Sequence, residues 1–137
     1  MSKYISSELL DFQDAISASD NDKAGALVIF SGQVRNHHLG KSVDYLEYES
    51  HIEMADTVIA DILNEAQLRW ELHYVYCKHR IGKVMIGESA VVVITSASHR
   101  DTAYEANRFI IDKVKAEAPI WKKEFFSDGN IIWAENI

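Results

Sequence analysis

The sequence predicts an α+β fold with antiparallel sheet and two long helices. Two long stretches carry apolar side chains at helical spacing. Between and around them, short runs rich in β-branched residues occur as neighbouring pairs. Helices that alternate with pairs of strands are typical of an α+β domain built on antiparallel sheet.

The first element is a helix predicted over "ELLDFQDAIS", with Ser7 as its cap and the turn-forming "SDND" at 19–22 after it. "GALVIFSGQVR" (25–35) is a β-rich run and predicts a buried strand. The polar stretch "NHHLGKS" (36–42) indicates an exposed loop. "VDYLEYES" (43–50) alternates enough to be the partner strand.

The first long helix is predicted from Ile52 to Trp70. Its apolar residues recur every four positions and predict one buried face: Met54, Val58, Ile62 and Ala66, with Ala55, Ile59 and Leu63 beside them. Two more strands follow in "LHYVYCKHRIG" and "SAVVVITSAS", joined through Gly82 and Gly87.

The second long helix is predicted from Arg100 to Glu117, and its inward residues are Ala103, Ala106, Ile110 and Val114. Pro119 prevents that helix from continuing. "KKEFFSDGNIIWAE" (122–135) then indicates a closing hairpin with a glycine turn. The element order is α-β-β-α-β-β-α-β-β, and we expect one domain over residues 1–137.

The composition limits the classes of function. Lys and Arg number 14 against 21 Asp and Glu, a net charge of −7, which argues against broad binding to nucleic acid or to anionic membranes. No apolar run approaches the roughly 20 residues that span a bilayer, and the N-terminus lacks the layout of a signal peptide. A single cysteine cannot form an internal disulfide. We therefore expect a cytoplasmic protein.

Three basic segments stand out against this acidic background. The first is "SHRD" (98–101), where Ser98 is a candidate helix cap and Asp101 completes a capping box. His99 and Arg100 then flank a helix N-terminus, which favours an anion. A plain cap with two solvated side chains is the commoner occurrence of this pattern.

The second segment is "GQVRNHHLGK", in which Arg35 ends a strand. An arginine at a strand end is more often a surface residue than a binding residue. The adjacent His37 and His38 do not predict a metal site, because neighbouring side chains diverge and no acidic or thiol ligand lies at a recognisable spacing.

The third segment, "KVKAEAPIWKKE" (113–124), holds four lysines and the only proline of the chain. Lys115 falls in the last helical turn and Lys122 on the next strand, so the bend at Pro119 lets both amines face one pocket. A solvated lysine-rich corner is an equal alternative for these two residues. It is the preferred interpretation for Lys113 and Lys123.

Other reactive side chains predict no site. Cys77 sits among alternating apolar and aromatic residues, as a packed thiol does. His73, Cys77 and His79 share a strand face, but His73 and Cys77 lie about 13 Å apart along it and cannot hold one ion. No nucleophile motif, P-loop or dinucleotide glycine motif occurs, which makes a nucleotide-handling enzyme a weak alternative.

Taken together, "FSGQVRNHHLGKSV", "HRIG", "TSASHRDTAYEANRFIIDKVKAEAPIWKKE" and the late "DGN…W" resemble the large, catalytic subunit of molybdopterin synthase. The resemblance covers nearly the whole chain from Gly25 onward. It implies an α/β-hammerhead fold and a sulfurtransferase that converts cyclic pyranopterin monophosphate (precursor Z) into the dithiolene of molybdopterin, in molybdenum cofactor biosynthesis.

The resemblance also implies partners. Sulfur arrives as a thiocarboxylate on the C-terminus of a small, ubiquitin-like carrier subunit. Two large subunits form a homodimer with one small subunit at each end, a heterotetramer. The step uses no bound metal or other cofactor.

Carried over by motif, the resemblance implies that Lys115 and Lys122 are catalytic. The implied substrate-binding residues are Gln33, Val34, Arg35, His99, Arg100, Lys115, Lys122, Lys123 and Glu124. Lysine is commoner at the Gln33 position, so one cation is lost there. Arginine and histidine suit the substrate's cyclic phosphate. The competing hypothesis is a non-catalytic assembly module that uses the same basic patch to hold a partner's C-terminal tail.

Overall fold

The computed structural model describes residues 2–134 and contains three helices and nine strands within that range. The helices are α1 (Phe12–Ala18), α2 (Ile52–Arg69) and α3 (Arg100–Glu117). The strands are β1 (Ile5–Ser6), β2 (Ala26–Gln33), β3 (His37–His38), β4 (Lys41–Ser50), β5 (Leu72–Arg80), β6 (Gly82–Met85), β7 (Ser89–Ala97), β8 (Ile120–Phe126) and β9 (Ile131–Ala134).

The α+β class is confirmed, and the strands form two sheets. The first sheet has the strand order β1-β5-β7-β2. The second has the order β3-β4-β8-β9, and β6 also pairs with β4. All pairings are antiparallel except that of β1 with β5, which is parallel. Within residues 2–134, no helix is both long and apolar enough to cross a membrane.

The central strand β7 is buried on both faces of the first sheet. Val91 and Val93 belong to the main core with α2 and α3, whereas Val92 and Ile94 pack with Ala15 of α1 on the other face. Because successive side chains of a strand point to opposite faces, a strand covered on both sides must be apolar at every position. The continuous run "AVVVI" satisfies that requirement.

Both long helices lie where the sequence predicts them. The inward residues of α3 are buried as expected, and Asn107 on the same face donates to the carbonyls of Val28 and Val93. On α2 the buried residues are Ala55, Ile59, Ile62, Leu63 and Ala66. Met54 is 52% exposed, so the prediction that it is buried is wrong. The buried stripe is narrower than the sequence pattern indicates.

The differences concern short elements. Helix α1 begins at Phe12 and is capped by Asp11, whose carboxylate accepts from the Gln13 amide at 2.9 Å, so the Ser7 cap is wrong. Strands β1, β3 and β6 are not predicted from sequence. Strand β6 lies in the segment expected to be a simple connection, and it is formed by pairing with the distant β4.

The chain reverses between α3 and β8 at Pro119. The Ala118 amide donates to the Val114 carbonyl and closes the helix. The Pro119 carbonyl then accepts from the His51 amide at 3.2 Å and from Ser50 Oγ at 3.0 Å. These bonds tie the bend to the junction of β4 and α2. The hairpin of β8 and β9 is confirmed, with Gly129 at φ 91° in its turn; Glu135, its last expected residue, lies outside the described residues.

Candidate functional site

A pocket of about 400 Å³ opens between the two sheets beside the C-terminal end of α3. This volume suits a small molecule, for which pockets of roughly 300–1,000 Å³ are usual. We call it the lysine pocket. Its walls are Gly32, Gln33, Arg35, His37, His38, Val43, Leu46, Tyr48, His79, Ala90, Val91, Lys115, Lys122 and Glu124.

The bend at Pro119 places Lys115 and Lys122 on this one pocket, as the sequence predicts. Lys115 lies in the last turn of α3. On β8 the side chains of even-numbered residues face inward, because strand side chains alternate, and Lys122 lies opposite Tyr48 of β4. Arg35 enters from the end of β2, where a bulge at Gly32 and Gln33 shifts the register.

The cations of the lysine pocket have no partner among the residues that the structure describes. Within residues 2–134, Arg35, Lys115 and Lys122 form neither an ion pair nor a side-chain hydrogen bond. Five cations outside the pocket do form ion pairs within the same residues, among them Lys113 with Glu117 at 3.0 Å. Like charges gathered in one pocket repel each other unless an anion joins them. The arrangement is that of an anion-binding site.

Glu124 is the acidic wall of the lysine pocket, and its side chain is already engaged. It is 4% exposed, and His38 Nδ1 lies 2.8 and 2.9 Å from its two carboxylate oxygens. Burial, and secondarily the charge of Glu124, raise the pKa of Tyr48 to about 12. Glu124 therefore orders the wall of the pocket through His38, and within residues 2–134 it forms no ion pair with Lys115 or Lys122.

His79 is a pocket residue that the sequence does not reveal. It is 1% exposed, and its Nδ1 lies 2.7 Å from the Arg80 carbonyl oxygen. The Tyr48 ring packs edge-on against it, with the two ring centroids 5.0 Å apart. Burial lowers its pKa to about 4; the bond to Arg80 opposes this shift and the nearby Lys115 adds to it. The ring is neutral at physiological pH. Its place in the pocket depends on long-range pairing, for which local sequence carries no signal.

Four of the nine expected substrate-binding residues do not line the lysine pocket, and Val34 and Lys123 are two of them. Val34 is 3% exposed, its amide donates to the Glu88 carbonyl, and its own carbonyl accepts from Gly87. Both its backbone groups and its side chain are therefore occupied. Lys123 points to the other face of β8, where its amine lies 5.1 Å from the Trp133 ring centroid.

His99 and Arg100 are separated from the pocket by the length of α3. They are exposed at its first turn, and the rise per residue puts Arg100 about 22 Å from Lys115 along the helix axis. One chain therefore does not bring Arg35, His99 and Arg100 onto one phosphate. The capping-box prediction is also wrong: the cap residue is His99 without a side-chain bond, and Ser98 Oγ instead bonds His73 Nε2 at 3.0 Å.

The remaining candidate groups are structural. Cys77 is 2% exposed, and burial raises the pKa of its thiol to about 12, so the thiolate is not accessible at neutral pH. Within residues 2–134, no three His, Cys, Asp or Glu side chains are grouped so as to hold a metal ion.

Comparison with known proteins supplies a family. The family model described as MoaE protein matches residues 5–117. A molybdopterin synthase catalytic subunit of Escherichia coli K12 is 42% identical over 117 residues, which is 85% of this chain and 77% of that protein. One from Arabidopsis thaliana is 38% identical over 94% of this chain, which spans only 63% of the plant protein.

The fold is shared as well. The crystal structure of molybdopterin synthase from Staphylococcus aureus superposes with a TM-score of 0.89 at 36% identity, and the match covers 96% of this chain and 95% of that one. The match includes both long helices and both sheets, and therefore the elements that form the lysine pocket.

Proposed function

Because this chain belongs to the MoaE family of molybdopterin synthase catalytic subunits, we propose that it transfers sulfur from a thiocarboxylated small carrier subunit to precursor Z. The product is the dithiolene of molybdopterin. The reaction is a step of molybdenum cofactor biosynthesis, and we assign it to the cytoplasm.

One observation supports this proposal above the others: three cations that have no ion-pair or hydrogen-bond partner in residues 2–134 share a pocket of small-molecule size. The reaction brings two anions together, the cyclic phosphate of precursor Z and the thiocarboxylate of the carrier. Arg35 can fork onto phosphate oxygens, since its guanidinium offers paired donors. Lys115 and Lys122 can meet the second anion.

The chemistry accounts for two lysines in place of one. Each thiocarboxylate sulfur forms a C–S bond with a carbon of the pterin side chain; at one carbon the bond to a cyclic phosphate oxygen breaks, and at the other water is lost. Water then cleaves each acyl–sulfur bond, which leaves the sulfur on the pterin and releases the carrier as a carboxylate. Each step develops negative charge or moves a proton, and an ammonium group can stabilise the charge or donate the proton. Lys115 and Lys122 approach from a helix and a strand, so they can serve two different atoms of the substrate.

A second copy of the chain is part of this proposal. His99 and Arg100 lie about 22 Å from Lys115 along α3, too far to contact the same substrate from the same chain. In a homodimer they can reach the partner's lysine pocket and complete its phosphate site. The carrier subunits then occupy the two ends of a heterotetramer.

Reconstitution with single substitutions tests the function. The chain is mixed with thiocarboxylated carrier and precursor Z, and molybdopterin is measured. Lys115→Ala and Lys122→Ala should each lose at least about a hundredfold in rate, the usual contribution of a proton-transfer group. Lys123→Ala is the matched control, because Lys123 is the next residue on β8 but faces away from the pocket, and it should retain activity.

Two results would contradict the proposal. The first is near-normal turnover in both the Lys115 and the Lys122 variant. The second is a wild-type chain that binds the carrier without consuming its thiocarboxylate, the behaviour of a non-catalytic assembly module that holds the tail.

A further inference from the structure

His79 is fixed at the wall of the lysine pocket from two sides. Its backbone amide donates to the Tyr4 carbonyl at 2.8 Å, and on β5 it is paired with Val91 of β7, another pocket residue. The imidazole ring itself is held by the Nδ1 bond to the Arg80 carbonyl oxygen and by the edge contact with Tyr48. The ring therefore has one orientation, and that orientation decides which nitrogen is available.

The available nitrogen is Nε2, and it carries a lone pair. A carbonyl oxygen only accepts hydrogen bonds, so Nδ1 must donate its hydrogen to Arg80 at 2.7 Å. In a neutral ring Nε2 is then unprotonated. Within residues 2–134, Nε2 has no hydrogen-bond partner. The fully enclosed side-chain atoms without a partner in this part of the chain are Arg80 Nε and Ser96 Oγ; Nε2 is not among them, and the space it borders is the pocket that His79 lines.

The protonation state of the His79 ring excludes two other roles for this residue. A proton acceptor for catalysis needs a pKa near the working pH, and burial keeps that of His79 at about 4. A phosphate ligand needs a donor, and Nε2 offers only a lone pair. What remains is a neutral acceptor beside a group of cations.

We propose that His79 Nε2 accepts a hydrogen bond from a ring N–H, amino or hydroxyl group of the bound pterin. The inference rests on the proposed function, and it divides the substrate between two kinds of contact. Arg35 takes the phosphate end, which inorganic phosphate shares, and Lys115 and Lys122 lie beside the reacting atoms. His79 recognises the uncharged heterocycle, which inorganic phosphate lacks.

Two substitutions separate this role from a structural one. His79→Asn keeps a donor where Nδ1 bonds Arg80 but has no acceptor at the position of Nε2. His79→Gln places an amide oxygen near the position of Nε2 but gives up the donor to Arg80. His73→Asn is the matched control, since His73 lies on the same strand outside the pocket and bonds Ser98 instead.

The probes are precursor Z and inorganic phosphate, each titrated into the full-length chain by calorimetry. We expect His79→Asn to weaken precursor Z binding about tenfold while phosphate affinity stays unchanged. His79→Gln should bind precursor Z within about threefold of wild type. If instead His79→Gln loses affinity and His79→Asn does not, the ring acts through Arg80 and the inference is overturned.

A spectroscopic measurement on the wild-type chain keeps the test decisive where a variant does not fold. In ¹⁵N-histidine spectra, the Nε2 resonance of His79 should move when precursor Z is added and stay in place with inorganic phosphate. A stationary resonance under saturating precursor Z would overturn the inference about His79 and leave the proposed function intact. If the wild-type chain binds phosphate but not precursor Z, the proposed function itself fails, and this inference with it.

Discussion

At the scale of single residues, Lys115 and Lys122 combine a place in the pocket wall with the lack of an ion-pair partner among residues 2–134. Lys113 has Glu117 and Lys41 has Asp128 at 3.2 Å, whereas no described residue pairs with either pocket lysine. The positive charge of the pocket is therefore available to ligands. That charge alone does not say whether the amines also transfer protons.

Arginine substitutions at these positions separate charge from proton transfer. Lys115→Arg and Lys122→Arg keep the positive charge, so precursor Z affinity should change by no more than about threefold, an effect of geometry. Arginine does not deprotonate in proteins, so single-turnover rates should fall by about a hundredfold or more. Arginine variants with wild-type rates would show that the pocket needs only charge.

His79 gives a prediction for stability against pH. Its pKa is lowered from 6.5 to about 4 by burial, with Lys115 of α3 adding to the shift, while uncharged Tyr48 of β4 packs against the ring. Between these two values the unfolded chain binds more protons than the folded one. The stabilisation is therefore fully present above pH 6.5 and is lost as the pH falls toward 4, by about 3 kcal/mol.

The measurement is the free energy of unfolding in urea, taken from pH 7 to pH 4 for the wild type and for His79→Gln. Carboxylates affect both proteins alike, so the difference between the two curves isolates the imidazole. Wild type should lose about 3 kcal/mol more than the variant over this range. Parallel curves would show that His79 is not buried as a neutral ring.

At the scale of elements, the bend between α3 and β8 sets the geometry of the pocket. Two sets of bonds hold it, the helix closure at Ala118 and the contacts of the Pro119 carbonyl with Ser50 and His51. None of them involves the proline ring. Proline fixes the backbone angle, but the bonds to the neighbouring elements fix the position.

Pro119→Ala should therefore lower stability by about 0.4–1 kcal/mol, through the greater freedom of the unfolded chain. Turnover should stay within about threefold of wild type, because the carbonyl contacts remain. Thermal unfolding and the molybdopterin assay measure the two effects. A folded Pro119→Ala variant with a tenfold slower reaction would mean that the proline ring itself aligns Lys115 with Lys122.

The sequence predicts the elements whose pattern is local. Helices α2 and α3 are recognisable because their apolar periodicity extends over many residues, and strand β7 because its apolar run is continuous. Strands β1, β3 and β6 are two to four residues long, too short for a periodic pattern. In addition, β1 and β6 depend on pairing with distant segments, whereas β3 pairs with the adjacent start of β4. Ser98 has the chemistry of a cap, but His73 and the Lys23 carbonyl compete for its hydroxyl.

The same distinction applies to the pocket. Lys115 and Lys122 are close in sequence around one bend, so their convergence is predictable from it. His79 enters through the β5–β7 pairing and remains hidden until the sheet is known. His99 and Arg100 are near Lys115 in sequence yet far from it in space, because they lie at opposite ends of the 18-residue helix α3.

At the scale of the whole molecule, His99 and Arg100 lie too far from the lysine pocket of their own chain, so the proposal places them in the pocket of a second copy. Mixing two inactive variants tests this directly. In a dimer of Lys115→Ala with Arg100→Ala, one shared site carries both changes and the other carries neither. Random assembly makes half of the dimers mixed, so about a quarter of wild-type activity should return.

The control mixture is Lys115→Ala with Lys122→Ala. Both residues belong to the same chain's pocket, so every site of the mixed dimer keeps one defect and no activity should return. An absence of recovery in the Lys115→Ala and Arg100→Ala mixture as well, with mixed dimers verified by mass, would contradict the sharing of sites between copies.

The central claim is that this chain moves sulfur from the carrier to the pterin, and a sulfur balance tests it most directly. A dithiolene contains two sulfur atoms and each carrier brings one. Mass spectrometry of the carrier C-terminus, with molybdopterin measured in parallel, should show two thiocarboxylates converted to carboxylates per molybdopterin formed. Carrier that stays fully thiocarboxylated in the presence of the wild-type chain and precursor Z would contradict the claim.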